Sequence, residues 1–469
     1  MSEIPAQKLT EITIFPSRAI GPVKFMNAVN NGPTKPRADQ SRGNFETYKA
    51  ARLPYARIHD ANWCSSYGAP HTVDITAVFP DFNADPNDPA AYDFPMTDNY
   101  LETIVDAGTE VFYRLGQSIE HGVKKYGILP PKDNRKWAEI CEHVIRHYTE
   151  GWNNGYKWKI TYWELWNEPD LGVPTDGSLP GDPKTWTGNC FQFFDLYETA
   201  AKHLKKCFPN LKIGGPALAG GWDWCSAFLK EMHKRKVPMD FFSWHVYAVS
   251  PEVIAERCDC WRKLLDENGY KKTESILNEW NYVKDWSPSW VYSLETESGR
   301  FNLKDAAFIA ATMSLCQDKP LDMLMYYDAR VGCAMNGLFD LITLEPMKGY
   351  YPFYAWAKLL DLGTEVKTAI DWTLMGSYAW KDAGADIRLT AAVSRNGKHG
   401  GALISRYNDD NNVVYKRKIR VRLDGAKFKK VNCHLTDTVR TYTEVPVEVA
   451  ADGSFELTLD PNSFAYVEW

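Results

Sequence analysis

Between residues 22 and 365, short apolar or alternating runs are followed by longer stretches whose apolar residues recur three and four apart. The short runs have the period or unbroken hydrophobicity of strands, and the longer ones the 3.6-residue period of helices. Eight strands are expected: VKFMNAV from Val23, YARIHD from Tyr55, TEVFYRLG from Thr109, KITYWELW from Lys159, KIGGPAL from Lys212, DFFSWHVY from Asp240, ESILNEW from Glu274 and DMLMYYDA from Asp322. Helical patterns such as NRKWAEICEHVIRHYTEG and LKDAAFIAATMSLCQ separate them, and Gly108 and Gly269 stand where helix C-terminal caps belong. Parallel strands need crossover helices, so eight βα units predict an α/β fold closed into a (β/α)8 TIM barrel over residues 22–365. An open doubly wound sheet is the alternative. Its nucleotide-binding forms lose support because no G-x-G-x-x-G follows the first strand and no G-x-x-x-x-G-K-[ST] occurs.

Beyond Gly363 the texture changes to short alternating segments, among them SYAWKD, GGALISRYN, NVVYKRKIRVRLDG and SFELTLD, separated by turn residues such as NDDNN. Residues 366–469 therefore read as a C-terminal antiparallel β-sandwich domain. The run EITIF, within residues 1–21, precedes the barrel and is expected to return and pair with that domain.

Composition narrows the partners. The 469 residues carry a formal net charge of -6 and hold no basic block able to form a phosphate-binding stripe, so nucleic acid is not an expected partner. No segment reaches the 18 apolar residues of a membrane span, and the N-terminus lacks the basic and apolar regions of a leader. A cytoplasmic protein is the default, or a secreted one if a leader has been removed; a homo-oligomer is left open. The 10 cysteines form no C-x-x-C pair and read as reduced thiols. The histidines His59, His71, His121 and His245 match no H-E-x-x-H pattern, so neither a metal nor a cofactor is expected. The 18 Trp, 25 Tyr and 21 Phe suit the CH-rich faces of sugars but also fill cores.

In a TIM barrel the chemistry sits at the C-terminal ends of strands. The fourth strand ends in Trp166-Asn167-Glu168-Pro169, the seventh in Asn278-Glu279-Trp280, the sixth in His245 and Tyr247, and the second in His59 and Asp60. Two glutamates on different strands provide what glycoside hydrolysis needs, an acid for the departing oxygen and a carboxylate for the developing oxocarbenium carbon. Glu164, by contrast, alternates inward along its strand and is expected to pair with Arg57 or Arg114 as a structural residue. Asp60, Asn62 and Trp63 after the second strand, and Tyr327, Asp328 and Arg330 after the eighth, either touch substrate or brace loops. Phe339, Trp222, Trp224 and Trp280 are candidate sugar platforms, Trp280 foremost. The long connections after the second and fourth strands suit a closed pocket and an exo-acting enzyme.

WNEP at the end of the fourth strand with a glutamate ending the seventh resembles the clan A glycoside hydrolases. Arg57-Ile58-His59, WELWNEPD, FFSWHVY, the NEW segment and a C-terminal sandwich resemble glycoside hydrolase family 39, the β-xylosidases and α-L-iduronidases. The resemblance implies Glu168 as general acid/base and Glu279 as nucleophile of a retaining double displacement. It implies Asn167 bonding a sugar 2-hydroxyl, Tyr247 hydrogen-bonding the nucleophile, and His245 and His59 lining the pocket. The expected partner is then an oligosaccharide or glycoside, with β-xylosidase the first specificity. An α-L-arabinofuranosidase-type enzyme, another clan A β-glycosidase, a transglycosidase and an inactive glycan-binding protein remain as alternatives.

Overall fold

The computed structural model describes residues 9–35, 43–61, 71–284, 286, 299, 302–331, 335–371 and 386–469. The eight expected strands form β2 (Phe25–Asn30), β3 (Tyr55–Ile58), β4 (Glu110–Arg114), β5 (Tyr162–Glu164), β6 (Lys212–Gly214), β7 (Phe241–Ala248), β8 (Glu274–Tyr282) and β9 (Met323–Tyr326). They close in that order into one parallel barrel, and β2 pairs with β9 to seal it. The open-sheet alternative is thereby excluded. Helices cover the outside, among them 95–106, 134–149, 190–207, 222–234, 251–267, 303–317 and 351–362. Gly108 and Gly269 follow two of these in the left-handed region, at φ 83° and 86°, where a side chain would be strained.

Strand alternation builds the barrel interior in layers. Ala28, Phe112, Tyr162, Phe241, Ile276 and Met323 form an apolar floor. Two residues further along four of these strands, on the same face, come Asn30, Arg114, Glu164 and Ser243, which with Arg57 and Asn278 are fully buried. A polar layer thus sits directly above the apolar one.

The remaining strands are β1 (Thr10–Pro22), β10 (Thr364–Asp371), β11 (Ile387–Val393), β12 (Gly400–Arg406), β13 (Arg417–Leu423), β14 (Asn432–Thr436), β15 (Thr443–Val445), β16 (Phe455–Leu459) and β17 (Ser463–Glu468). They make one curled nine-stranded sheet in the order β15-β14-β17-β12-β11-β10-β1-β13-β16. The pairs are antiparallel except β1 with β13, which run parallel, so the N-terminal strand lies inside the sheet rather than at its edge. The SYAWKD run lies outside the described residues.

Each face of the sheet has its own core. Ala391, Ala402, Ile404, Ala465 and Val467 belong to the sheet's interior cluster, whereas Ala392, Leu403, Phe464 and Tyr466, one residue out of step, join the barrel's. Helix 303–317 lies between barrel and sheet, which is why it is apolar all round, with Ala306, Phe308, Ile309, Ala310 and Met313 all buried. The sheet also reaches the barrel mouth: Tyr407 Oη donates to the Val249 carbonyl (2.5 Å), and Tyr282 Oη and Lys284 Nζ donate to the two Asp409 oxygens (2.6 Å each). These contacts hold the chain just after β7 and the end of β8. Among the described residues, no helix is long and apolar enough to cross a membrane.

Candidate active site

Arg57 is the hub of the site. Fully buried at the end of β3, it donates from Nε to Glu164 (2.6 Å), from one Nη to Glu279 (2.7 Å) and Asn30 Oδ1 (3.1 Å), and from the other to Asn167 Oδ1 (2.7 Å). A rigid guanidinium fork makes this possible; a lysine ammonium could not span the same four acceptors. Glu164 is further occupied by Ser243 Oγ (2.5 Å) and Asn278 Nδ2 (2.6 Å) on its second oxygen. With both oxygens engaged and the side chain fully buried, its role is structural.

Glu279 comes to the mouth because β8 bulges. In the pairing with β7, Leu277 opposes Trp244 and Glu279 opposes His245, leaving Asn278 as the extra residue. Strict alternation would put Asn278 and Trp280 on one face and Glu279 on the other. The bulge lets Asn278 and Glu279 both face inward, and it turns Trp280 outward. Trp280 accordingly packs against Phe308 and Tyr326, with ring centroids 5.9 and 5.3 Å away, and is fully buried between strand and helix. The expectation of a sugar platform there is corrected. Trp224 and Phe339 are likewise buried in packing, and Trp222 lies on Trp261.

Glu168 is delivered differently. β5 stops at Glu164, and four residues later Glu168 sits at φ 49°, a left-handed conformation that glutamate rarely adopts. The surroundings enforce it: its N–H donates to the Ala217 carbonyl (2.8 Å), and its own carbonyl accepts from Thr185 Oγ1 (2.5 Å). Asp170 ties the same turn to the loop after β6, accepting from the amides of Ala219, Gly220 and Gly221 at 2.7 to 3.1 Å.

His245 stands between the two acids, its Nδ1 2.8 Å from a Glu168 oxygen and 3.4 Å from one of Glu279. One oxygen from each acid and this histidine all lie within 4.8 Å of one another. Burial pushes His245 down to about 4, so it is neutral near neutral pH and is best placed with Nδ1–H toward the acids. Burial also pushes both carboxyls up, Glu168 to about 7. Glu279 differs in its partners: besides Arg57 it accepts Tyr247 Oη at 2.8 Å, and these, with His245, oppose the upward push. Of the two carboxyls, Glu279 has the more neighbours opposing the upward push. A cation could find three donors in this cluster, but the Arg57 guanidinium in contact with Glu279 already supplies the positive charge.

A second cluster forms the rim. Asp60 accepts Tyr327 Oη (2.5 Å), with Arg330 at 3.3 Å, His71 at 3.4 Å and His59 at 3.9 Å. Burial alone would raise its pKa, but His59, Arg330 and His71 hold it well below the usual carboxylate range. His59 Nε2 is also 3.9 Å from Glu279, linking rim to centre. The structure therefore brings together Glu168, Glu279, Asn167, His59, Asp60, His245, Tyr247, Tyr327 and Arg330, and places Trp280 elsewhere. Asn62 and Trp63 lie outside the described residues.

Among the described residues, buried atoms of the site's side chains without a hydrogen-bond partner include Asn167 Nδ2, His245 Nε2, His59 Nδ1 and Asn278 Oδ1. Unpaired buried polar groups are costly, and a ligand hydroxyl within reach of Asn167 Nδ2 would satisfy one of them. Sequence reasoning weighed His71 only as a metal ligand and passed over Asn30 and the exposed Trp286, whose ring meets Tyr247 edge-on at 5.1 Å. The polar pair Asn30-Asn31, ending an apolar strand, was the available signal for the first.

A closed parallel barrel carrying two adjacent carboxylates at the ends of its fourth and seventh strands defines the class. The family model for glycosyl hydrolases family 39 matches residues 69–330, and the chain belongs to that family. It is 31% identical over 168 residues to a β-xylosidase of Geobacillus stearothermophilus, covering 33% of this chain and 31% of that one. It is 28% identical over 303 residues to a β-xylosidase of Caldicellulosiruptor saccharolyticus, covering 57% of each. The matches thus span about a third and just over half of the curated relatives' lengths. A solved glucosidase structure from Croceicoccus marinus superposes with a TM-score of 0.76 at 19% identity, over 98% of both chains, which is a likeness of fold.

Proposed function

We propose that this chain is a retaining exo-glycosidase, with β-xylosides its first substrate class. The observation that carries the reading is the pair of carboxyls whose oxygens approach within 4.8 Å. Retaining glycosidases hold their two carboxyl groups about 5–5.5 Å apart, whereas inverting ones need about 6.5–9.5 Å to admit a water. In this reading Glu279, oriented by Arg57 and Tyr247, attacks the anomeric carbon while Glu168 protonates the departing oxygen. Formation of the glycosyl ester removes the negative charge of Glu279, which lowers the pKa of Glu168 and fits it to take a proton from the incoming water. In the same reading Asn167 Nδ2 donates to a sugar hydroxyl in both steps.

Support for xylosides comes from the names of the two curated relatives; arabinofuranosides and other β-glycosides are the alternatives. Activity on a panel of aryl glycosides, with the wild type and the Glu168→Ala and Glu279→Ala variants, tests both levels. Cleavage of the β-xyloside first, an anomerically inverted glycosyl azide from Glu279→Ala and a retained one from Glu168→Ala are expected. Full activity in both variants would remove the assignment, and preference for another glycoside would move only the specificity.

A further inference from the structure

On the outer surface of the barrel, away from the carboxylate pair, Glu142, His203 and Cys207 meet between helices 134–149 and 190–207. His203 and Cys207 are four residues apart on one helix face, and Glu142 comes from the neighbouring helix. His203 Nε2 is 2.6 Å from Glu142 Oε2 and 3.8 Å from Cys207 Sγ, and the three donor atoms lie within 4.8 Å of one another. All three residues are partly exposed, so solvent and ions can reach them.

Two chemistries use a thiol, an imidazole and a carboxylate. A proton relay needs the thiol and the carboxylate on opposite ring nitrogens, so that one takes the proton the other helps to move. Here both meet the same nitrogen, which breaks a relay but is the convergence a ligand set requires. We propose that Glu142, His203 and Cys207 form a site for a divalent transition metal of the zinc or cobalt class, which clips the two helices together. Zinc bonds of about 2.3 Å to sulfur and about 2.0–2.1 Å to nitrogen and oxygen, at tetrahedral angles, set S···N near about 3.6 Å and N···O near about 3.3 Å. The sulfur is already close to that spacing. The imidazole–carboxylate contact opens by about 0.7 Å and exchanges its hydrogen bond for the metal.

The surrounding charges allow it. Arg146 holds the other oxygen of Glu142, from Nε at 2.8 Å and Nη2 at 2.7 Å, leaving Oε2 for the metal. Burial and Glu142 raise the Cys207 thiol, Arg146 and Lys206 counter them, and a bound metal displaces the thiol proton. The fourth position faces solvent and takes water. The two helices enter and leave β5, so the clip spans the strand that leads to Glu168 without touching the reacting groups.

The test is titration of the chelator-treated full chain with Co²⁺ and then Zn²⁺. A thiolate-to-cobalt charge-transfer absorption is expected in the wild type, bleached by zinc, with a rise in the thermal midpoint of about 3 °C at a hundredfold excess over Kd. Cys207→Ala and His203→Ala should lose both effects while keeping the circular dichroism spectrum and glycoside cleavage of the wild type. Absence of the band in the wild type, or its persistence in Cys207→Ala, overturns the proposal.

Discussion

Asn167-Glu168 and Asn278-Glu279 are the same dipeptide delivered by two different backbone devices. On the fourth barrel strand, hydrogen bonding ends early and Glu168 is held in a left-handed turn by Ala217 and Thr185. On the seventh, the strand runs on to Tyr282, and one extra residue rotates the acid inward. The asparagines diverge as well: Asn167 accepts from Arg57 and keeps a free Nδ2, whereas Asn278 spends its Nδ2 on Glu164. Among the described residues, the first device leaves its acid with one close side-chain partner, His245. The second sets its acid against Arg57 and Tyr247. Under the proposed reading, proton donor and nucleophile are told apart by what the backbone lets each side chain reach, since the local sequence is the same.

The largest effect should come from removing the anchored acid. Glu279→Ala is expected to lower kcat/KM on an aryl β-xyloside by roughly 10⁴-fold or more, read in steady-state assays. Next is the turn-borne acid. Glu168→Gln should cost about 10²–10⁴-fold with a poor leaving group and much less with an activated aryl one. Because Glu168 is pushed up to about 7, wild-type proton donation should fail as pH rises through that value, and the variant should lack that alkaline limb. The same shift has a stability sign. A folded carboxyl raised from 4.5 to about 7 binds its proton more tightly than the unfolded one, so its contribution is full below about 4.5 and shrinks as pH rises toward 7. Denaturation at several pH values should show this slope flattened in Glu168→Gln.

Arg57 holds Glu279 directly and Asn167, next to Glu168, so its loss should disturb both ends of the comparison. Arg57→Ala leaves Glu164 buried without its charged partner and should destabilise the fold by about 3–5 kcal/mol in denaturant titration. Smallest are the two flanking aromatics. Tyr247→Phe removes one donor to Glu279 and should cost about 10-fold in kcat, consistent with a hydrogen bond to a charged group worth about 1.5 kcal/mol. Trp280→Phe, in the packing of strand against helix, should lower stability by about 1–3 kcal/mol and leave KM unchanged; a large rise in KM would restore the sugar-platform reading.

Much of the frame was legible. The eight strands announced themselves because parallel barrel strands are apolar on both faces and each is bounded by turn or helix signals. The glutamates were found by asking which acids end strands, and Glu164 was separated from Glu168 by alternation. The bulge at Asn278 was not legible, because it is a choice of hydrogen-bond register that leaves no mark in residue type, and Trp280, chosen for its place beside Glu279, turns outward with it. The position of β1 between β10 and β13 was beyond reach for a similar reason, since pairing partners hundreds of residues apart are set by packing rather than by local pattern. Arg57 or Arg114 was read as the partner of Glu164; that it is Arg57, and that it also holds Glu279, Asn167 and Asn30, is a property of three dimensions.

The division of labour between the two acids is tested most directly by trapping the enzyme with a 2-deoxy-2-fluoro-β-xyloside bearing an activated leaving group and mapping the labelled peptide by mass spectrometry. A fluoroglycosyl ester on Glu279 is the predicted result. A label on Glu168, or turnover of the natural β-xyloside to a product of inverted configuration, would contradict the account.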